Sequence, residues 1–362
     1  MTLTLRELFS PSALAAALAD GYVREQVHPL EPLAILNYTE RAAFAGEWNE
    51  VTLTCRGLVY HRETQRIVAR PFAKFFNHGQ PGAAVIDVTA PVHVTDKLDG
   101  SLGVLYPLPS GGWAVATRGS FTSDQAVHAT EVLRRRYPRF VPPDGLTALV
   151  EIVYPGNRIV VDYGDVDDLL LLGAVRLADG AVLDPATVAG WPGPVVTTLA
   201  AKTFAEALAL PPRRNAEGVV VRCLRTGAMV KIKQDDYVAL HRIVTGLTER
   251  TVWQHLMDGA PLNELIEPLP DEFHDWVRRV AEHILSTVDS ERDGLVRAFD
   301  RVVAGLPDGF TRKDFALTVA GRADAWAMFA LLDGRDIRPK LLLHAKPEPV
   351  GPSGRTYSED DL

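Results

Sequence analysis

The hydrophobic rhythm of this chain changes period after Tyr237, and that break calls for an architecture in two parts. Between Val51 and about Lys233, short runs rich in β-branched residues are separated by Gly, Pro and Asp: 52–60, 66–69, 92–96, 103–108, 113–117, 146–153, 158–162, 169–176, 218–223 and 228–232. Such residues suit a pleated, half-buried surface. A helical pattern at 125–136 interrupts them, and a short helix over 10–19, with Pro11 in its first turn, precedes them. The expected class is α+β, a domain built on antiparallel sheets. Beyond Tyr237, apolar residues recur at helical spacing, as in Phe273, Trp276, Val277, Val280 and Ile284. Helices are expected at 248–257, 270–288, 290–303, 312–320 and 322–332, forming an all-α domain. The expected division is 1–242, 243–345, and a disordered tail at 346–362 that is rich in Pro, Gly and Ser and ends on Glu359-Asp360-Asp361.

A chain of 362 residues is long enough for two domains with buried cores. Its 47% hydrophobic and 23% charged residues fit a soluble globular protein. There is no basic stretch followed by an apolar core near Met1, and no apolar run approaches the roughly 18 residues of a membrane span. A cytoplasmic protein without a membrane segment is therefore expected. Cys55 and Cys223 stand alone, without the spacing of a disulfide framework or a zinc site. A net charge of -8 excludes indiscriminate coating of nucleic acid, although a local basic groove remains compatible with it.

Within the β-rich part, Lys97-Leu98-Asp99-Gly100-Ser101 sets an amine beside a carboxylate and a small turn, immediately before a strand. One such turn is weak evidence; its order relative to other residues strengthens it. Thr117-Arg118-Gly119-Ser120, Glu151, Glu217-Gly218 and Lys231-Ile232-Lys233 follow in sequence. Lys231 and Lys233 alternate on a strand, so both amines leave one face and can reach phosphate oxygens. For Lys97 to act as a nucleophile toward phosphorus it must be deprotonated, which neighbouring cations and a divalent metal favour. Glu217, beside a glycine at the mouth of an apolar strand, is a candidate metal ligand. Glu151 opens another strand and is a candidate for the nucleotide sugar or the same metal. Upstream, Arg56-Gly57 and the run Arg70-Pro71-Phe72-Ala73-Lys74-Phe75-Phe76-Asn77 bring cations together with aromatics suited to phosphate and base.

With these segments in order, the chain resembles the RNA ligase 1 family typified by the bacteriophage T4 enzyme, within the covalent nucleotidyltransferase superfamily. The resemblance rests on Cys55-Arg56-Gly57, Arg70-Pro71, Lys74 to Asn77, Lys97 with Asp99-Gly100-Ser101, Gly119-Ser120, Asn157 to Val160, Glu217-Gly218, and Lys231-Ile232-Lys233 followed by Asp236-Tyr237-Val238. It implies an ATP-dependent RNA ligase using Mg2+ or Mn2+. In that chemistry Lys97 takes AMP from ATP, passes it to an RNA 5'-phosphate, and a 3'-hydroxyl then displaces AMP. Carried over by position, Lys97, Lys231, Lys233 and Glu217 are catalytic. Tyr38, Arg56, Lys74, Phe76, Gly100, Arg118, Glu151, Leu172 and Val220 line the nucleotide pocket, and Glu217 and Glu151 hold metal. The family pattern has Lys at the position of Arg118, which keeps the charge but replaces a point ammonium with a planar fork. The implied partner is single-stranded or nicked RNA, including tRNA, with a separate enzyme healing the ends.

Two other readings share parts of this set. A DNA ligase or capping enzyme has the same lysine turn but adds an OB-fold where this chain turns helical. A ligase-derived RNA-binding or sensor module lacks the lysine or a metal carboxylate, all of which are present here. The pairs His93-Val94-Thr95 and His128-Ala129-Thr130 imitate phosphodiesterase HxT repeats, although the second lies in a helical stretch. A phosphate loop of the GxxxxGK[ST] type is absent.

Overall fold

In a computed structural model, residues 3–238, 246–267, 269 and 271–352 are described. The chain forms two compact units, Met1–His241 and Arg242–Leu362. The first is α+β with antiparallel sheets; the second is helical.

The first unit opens with short helices and strands in alternation: α1 (Leu5–Leu8), α2 (Pro11–Ala19), β1 (Val23–Val27), β2 (Leu33–Tyr38), α3 (Glu40–Ala45), α4 (Glu50–Thr54), β3 (Arg56–His61) and β4 (Ile67–Ala69). The strands form an antiparallel sheet in chain order. Next come β5 (Val92–Asp96), β6 (Ser101–Pro107), β7 (Trp113–Ala116), α5 (Asp124–Arg136), β8 (Leu146–Val153), β9 (Asp168–Arg176), β10 (Val182–Leu183), β11 (Thr198–Leu199), α6 (Phe204–Leu208), β12 (Gly218–Cys223) and β13 (Met229–Lys233). A second sheet has the order β10-β9-β8-β6-β7 and a third β11-β5-β12-β13, all neighbours antiparallel.

Strand alternation assigns each sheet two faces. Leu33, Ile35, Val59 and Ala69 of the first sheet pack on Val104, Tyr106, Ala114, Leu149 and Val175 of the second. The outer face of the second sheet is covered by Ala129, Val132 and Leu133 of α5, and the outer face of the first by α1, α2 and α4. In the third sheet Val92, Val94, Val219, Val221 and Val230 are buried against Phe204 and Ala207 of α6. The opposite face of that sheet is left for the lysines.

The second unit contains α7 (Glu249–Met257), α8 (Leu262–Ile266), α9 (Asp271–Ala304), α10 (Arg312–Val319), α11 (Ala325–Leu332) and α12 (Arg338–His344). Helix α9 is one element of 34 residues, where the apolar pattern suggests two. Its first half, through Val277, Val280, Ala281 and Ile284, packs with Val252 and Trp253 of α7 and Ile266 of α8. From Val288 onward it meets Phe315, Val319, Met328, Ile337 and Leu341. No Gly or Pro interrupts 286–292, so nothing ends the helix there.

Several expected elements differ in instructive ways. The strand expected at 52–60 begins instead as α4, because Asn49 caps it by accepting from the amides of Val51 and Thr52. Residues 158–162 form no strand; the amides of Val160 and Val161 go to the Asp99 carboxylate rather than to a ladder. Strands β1 and β2 lie outside the expected runs; β1, Val23-Arg24-Glu25-Gln26-Val27, is polar and mostly exposed, whereas β2, Leu33-Ala34-Ile35-Leu36-Asn37-Tyr38, is buried throughout. In the expected tail, residues 346–352 lie against α7: the Glu249 amide donates to the Val350 carbonyl at 2.8 Å, and Lys346 covers the Trp253 ring. Residues 353–362 lie outside the described residues. Among the described residues no helix is long and apolar enough to cross a membrane.

Gly218 closes the β12–β13 pairing at φ +150°, and a Cβ there would lie 2.1 Å from the Ile232 carbonyl oxygen. Gly218→Ala should therefore destabilise the chain by about 3 kcal/mol. Urea unfolding measures this, and a loss below roughly 1 kcal/mol would show that the two strands can separate without penalty.

Candidate active site

Two strands, β5 and β13, deliver the lysines to one face, with β12 between them. The Lys97 amide donates to the Gly218 carbonyl at 3.0 Å, which extends the β5–β12 pairing one residue past Asp96. On β13, Lys231 pairs opposite Val220 and Lys233 opposite Gly218. Because Val94, Val219, Val221 and Val230 point into the core, Lys97, Val220, Lys231 and Lys233 share the other face. Glu217, just before β12, has a side chain only 2% exposed. Its Oε2 lies 2.5 Å from Lys97 Nζ and its Oε1 3.0 Å from Lys233 Nζ. A buried carboxylate needs such partners, since an unpaired charge in this position is strongly unfavourable.

The turn after Lys97 is locked from distant parts of the chain. Asp99 is buried; its Oδ2 accepts from the amides of Val160 and Val161, each at 2.8 Å, and its Oδ1 from the Tyr237 hydroxyl at 2.7 Å. Its amide donates to the Tyr163 hydroxyl at 2.8 Å. Asp99 thus holds the turn rather than facing the pocket as a free carboxylate. At Gly100 the amide donates to Glu151 Oε1 at 3.1 Å, and a Cβ would stand 2.6 Å from the Ile152 carbonyl oxygen. Any side chain there would push the turn away from β8. Ser101 bonds to buried Asn157, which also donates to the Ile152 carbonyl at 3.0 Å, so Asn157 supports the turn.

Glu151 does not open a strand but lies near the end of β8, opposite Leu102 of β6, in the same electrostatic neighbourhood. Burial pushes its carboxyl up to about 7; Glu217 and Asp99 add to the rise, while Lys97 and the Gly100 amide oppose it. A carboxyl poised there is about half protonated at neutral pH, and a bound cation favours its charged form.

Around these groups stands a wall of cations and rings. Arg118 Nη1 donates to the Tyr38 hydroxyl at 2.9 Å, with its guanidinium 5.0 Å above that ring. Lys74 Nζ lies 5.5 Å from the Tyr38 ring and 5.2 Å from those of Trp48 and Phe76. Lys231 Nζ lies 4.9 Å from the Phe75 ring, and the Arg56 guanidinium 6.0 Å from it. Arg56 Nη1 is buried without a hydrogen-bond partner. Burial of Tyr38 raises the pKa of its phenol, yet Arg118, Lys74 and Arg56 outweigh that and leave it below the ordinary value. Leu172 belongs to the apolar floor with Phe75 and Met229. Val220 is half-buried among the lysines.

The structure also positions residues that the sequence did not mark. Trp48 and Tyr163 carry no motif. Arg213, which the sequence offers only as part of a basic pair with Arg214, donates to Asp96 and to the Gly218 carbonyl, each at 2.8 Å. The two HxT histidines have separate partners. His93 pairs with Asp184, whereas His128 pairs with Asp167 and stacks on Tyr154 at 4.0 Å.

Lys231 is the cation whose proton the pocket most weakens. Burial, reinforced by Arg56, Lys97, Lys74 and Lys233, lowers it to about 6. A bound polyphosphate reverses those influences, so nucleotide binding without metal should take up close to one proton at pH 7.5, and affinity should fall as pH rises from about 6 toward 10. Calorimetry in buffers of differing protonation enthalpy measures this uptake. It should vanish in Lys231→Met, and its absence from the parent chain would contradict the assignment.

The family model described as RNA ligase, of the T4 RNA ligase 1 type, matches residues 54–237, half of the chain. RNA ligase 1 of bacteriophage TS2126 is 32% identical over 146 residues, covering 36% of this chain and 36% of that protein. A putative RNA ligase of Thermovibrio ammonificans is 31% identical over 124 residues, covering 32% of each. The chain thus spans about a third of the length of these relatives. Among solved structures, a Naegleria gruberi RNA ligase mutant with ATP and Mn aligns with a TM-score of 0.34 and 19% identity over 43% of this chain and 53% of its own. The matched region runs from the residues before Arg56 through Lys97, Glu151 and Glu217 to Tyr237, and by that match the chain belongs to the RNA ligase family of the T4 RNA ligase 1 type.

Proposed function

We propose that this chain is an ATP-dependent RNA ligase that acts through a lysyl-AMP on Lys97. The observation that carries the proposal is a cluster of cations that outnumbers the carboxylates paired with it. Lys97 and Lys233 share Glu217, but among the described residues no carboxylate lies at ion-pair distance from Arg56, Lys74, Arg118 or Lys231. In a chain of net charge -8, that concentration is not a by-product of composition. A triphosphate supplies the missing counter-charge, and the orphaned Arg56 Nη1 is a donor for it.

In this proposal Lys97 Nζ attacks the α-phosphorus; the N–P bond forms as the P–O bond to pyrophosphate breaks. The amine must shed its proton first, and Glu217, at 2.5 Å, is the carboxylate placed to receive it. Lys231 and Lys233 stabilise the charge that builds on the α-phosphate and leaving group. AMP then passes to an RNA 5'-phosphate, and a 3'-hydroxyl displaces it to form the phosphodiester.

A divalent cation fits the carboxylates present. No cluster of His, Cys, Asp or Glu large enough to enclose a metal occurs among the described residues. Magnesium, however, is commonly held by one or two carboxylates with the rest of its shell from water and phosphate. Glu217 and Glu151 would hold Mg2+ or Mn2+, which neutralises phosphate charge. Nicked RNA, tRNA included, is the proposed substrate, in the cytoplasm, with the helical unit selecting the RNA and another enzyme preparing its ends. A binding or sensor module without sealing activity is the competing reading; the presence of Lys97, Glu151 and Glu217 in one neighbourhood favours the enzyme.

With α-labelled ATP and magnesium, the chain should acquire one acid-labile AMP, and Lys97→Ala should abolish it. Tight RNA binding without any adduct would favour the binding module instead. Removing residues 246–362 should spare adduct formation and weaken sealing of nicked RNA. Equal loss of both would make the helical unit a structural support.

A further inference from the structure

Lys74 differs from Lys97 and Lys233 in how its charge is held. Its ammonium is bracketed by the rings of Tyr38, Trp48 and Phe76 at 5.2–5.5 Å. The rings brace one another edge to face, Tyr38 on Trp48 at 5.1 Å and Trp48 on Phe76 at 5.3 Å. A ring face attracts a cation through its quadrupole and leaves the net charge intact. A carboxylate, as Glu217 is to Lys97 and Lys233, offsets part of that charge. Tyr38 and Phe76 are also tied to other parts of the site: the Tyr38 hydroxyl accepts from Arg118, and the Phe76 carbonyl accepts from the Lys231 amide. Trp48 sits half-buried in the link between α3 and α4, held there by Asn49 capping the second helix. It belongs to none of the motifs that mark the site.

We propose that Trp48 is a positioning residue that completes an aromatic box around Lys74, fixing its ammonium un-neutralised for the outer phosphates of a nucleoside triphosphate. This rests on the reading that the pocket takes ATP. It confines Trp48 to the first step, because the outer phosphates leave as pyrophosphate. Joining RNA that already carries AMP makes no demand on the box.

The test measures adduct formation by the full chain against ATP concentration, with a synthetic 5'-adenylated RNA as a second substrate. Trp48→Leu should raise KM for ATP roughly three- to thirtyfold, the range of a cation–π contact, with kcat little changed. Trp48→Phe, which keeps a ring, should recover most of the loss. In a Lys74→Met background, Trp48→Leu should cost nothing further, because its effect runs through that ammonium. Adenylated RNA should be joined by Trp48→Leu far better than its ATP-dependent activity predicts. An unchanged KM, additive losses in the Lys74→Met background, or equal loss with both substrates would overturn the proposal and make Trp48 a packing residue. A parent chain that forms no adduct at all would overturn the ligase reading, and this inference with it.

Discussion

The Glu217 carboxylate, buried and divided between Lys97 and Lys233, is the interaction on which the rest of the site depends. It ties the end of β5 to the end of β13 through β12, and the lysines of two strand ends converge on the one carboxylate that precedes the third. Removing either lysine leaves the buried carboxylate with one partner where it had two. Removing Glu217 leaves ammonium groups crowded beside Arg56, Lys74 and Lys231. The neutral core beneath, Val94, Val219, Val221 and Val230 against α6, gives these charges a rigid platform.

The pocket holds its cations in different ways, and each suits a different task. Ion pairing orients Lys97 and Lys233 while one carboxylate offsets part of their charge. Ring contacts hold Lys74, and place Lys231 near Phe75, without spending charge. Lys231 is the extreme case: burial and the surrounding cations bring it to about 6, so it gains a full charge when an anion arrives. Glu151, raised to about 7, is its counterpart on the carboxylate side and gains charge when a cation arrives. Such pairs of opposed groups poised near neutrality are a feature of sites that exchange charged ligands.

Much of this was legible in the sequence because it is local. Lys231-Ile232-Lys233 reads as two amines on one face from strand period alone, and the helical unit announces itself by spacing at Phe273, Val277, Val280 and Ile284. The remainder depends on contacts made far along the chain. Asp99 reads in the sequence only as a carboxylate beside Lys97; its partners are 61, 62 and 138 residues away and make it a lock for the turn. The same bonds explain why 158–162, rich in β-branched residues, is not a strand. Trp48 stands in a stretch with no periodicity, and only the approach of Tyr38, Lys74 and Phe76 gives it a role. Residues 346–352 show the converse, a segment whose composition suggests disorder but whose backbone pairs with α7.

A crystal structure of the chain with magnesium and an ATP analogue that cannot release pyrophosphate tests the account most directly. The account predicts the α-phosphorus within roughly 3.5 Å of Lys97 Nζ, as in a near-attack geometry, with the outer phosphates among Arg56, Lys74 and Lys231. A triphosphate seated elsewhere, with those cations still unmatched and Lys97 turned away from it, would contradict it.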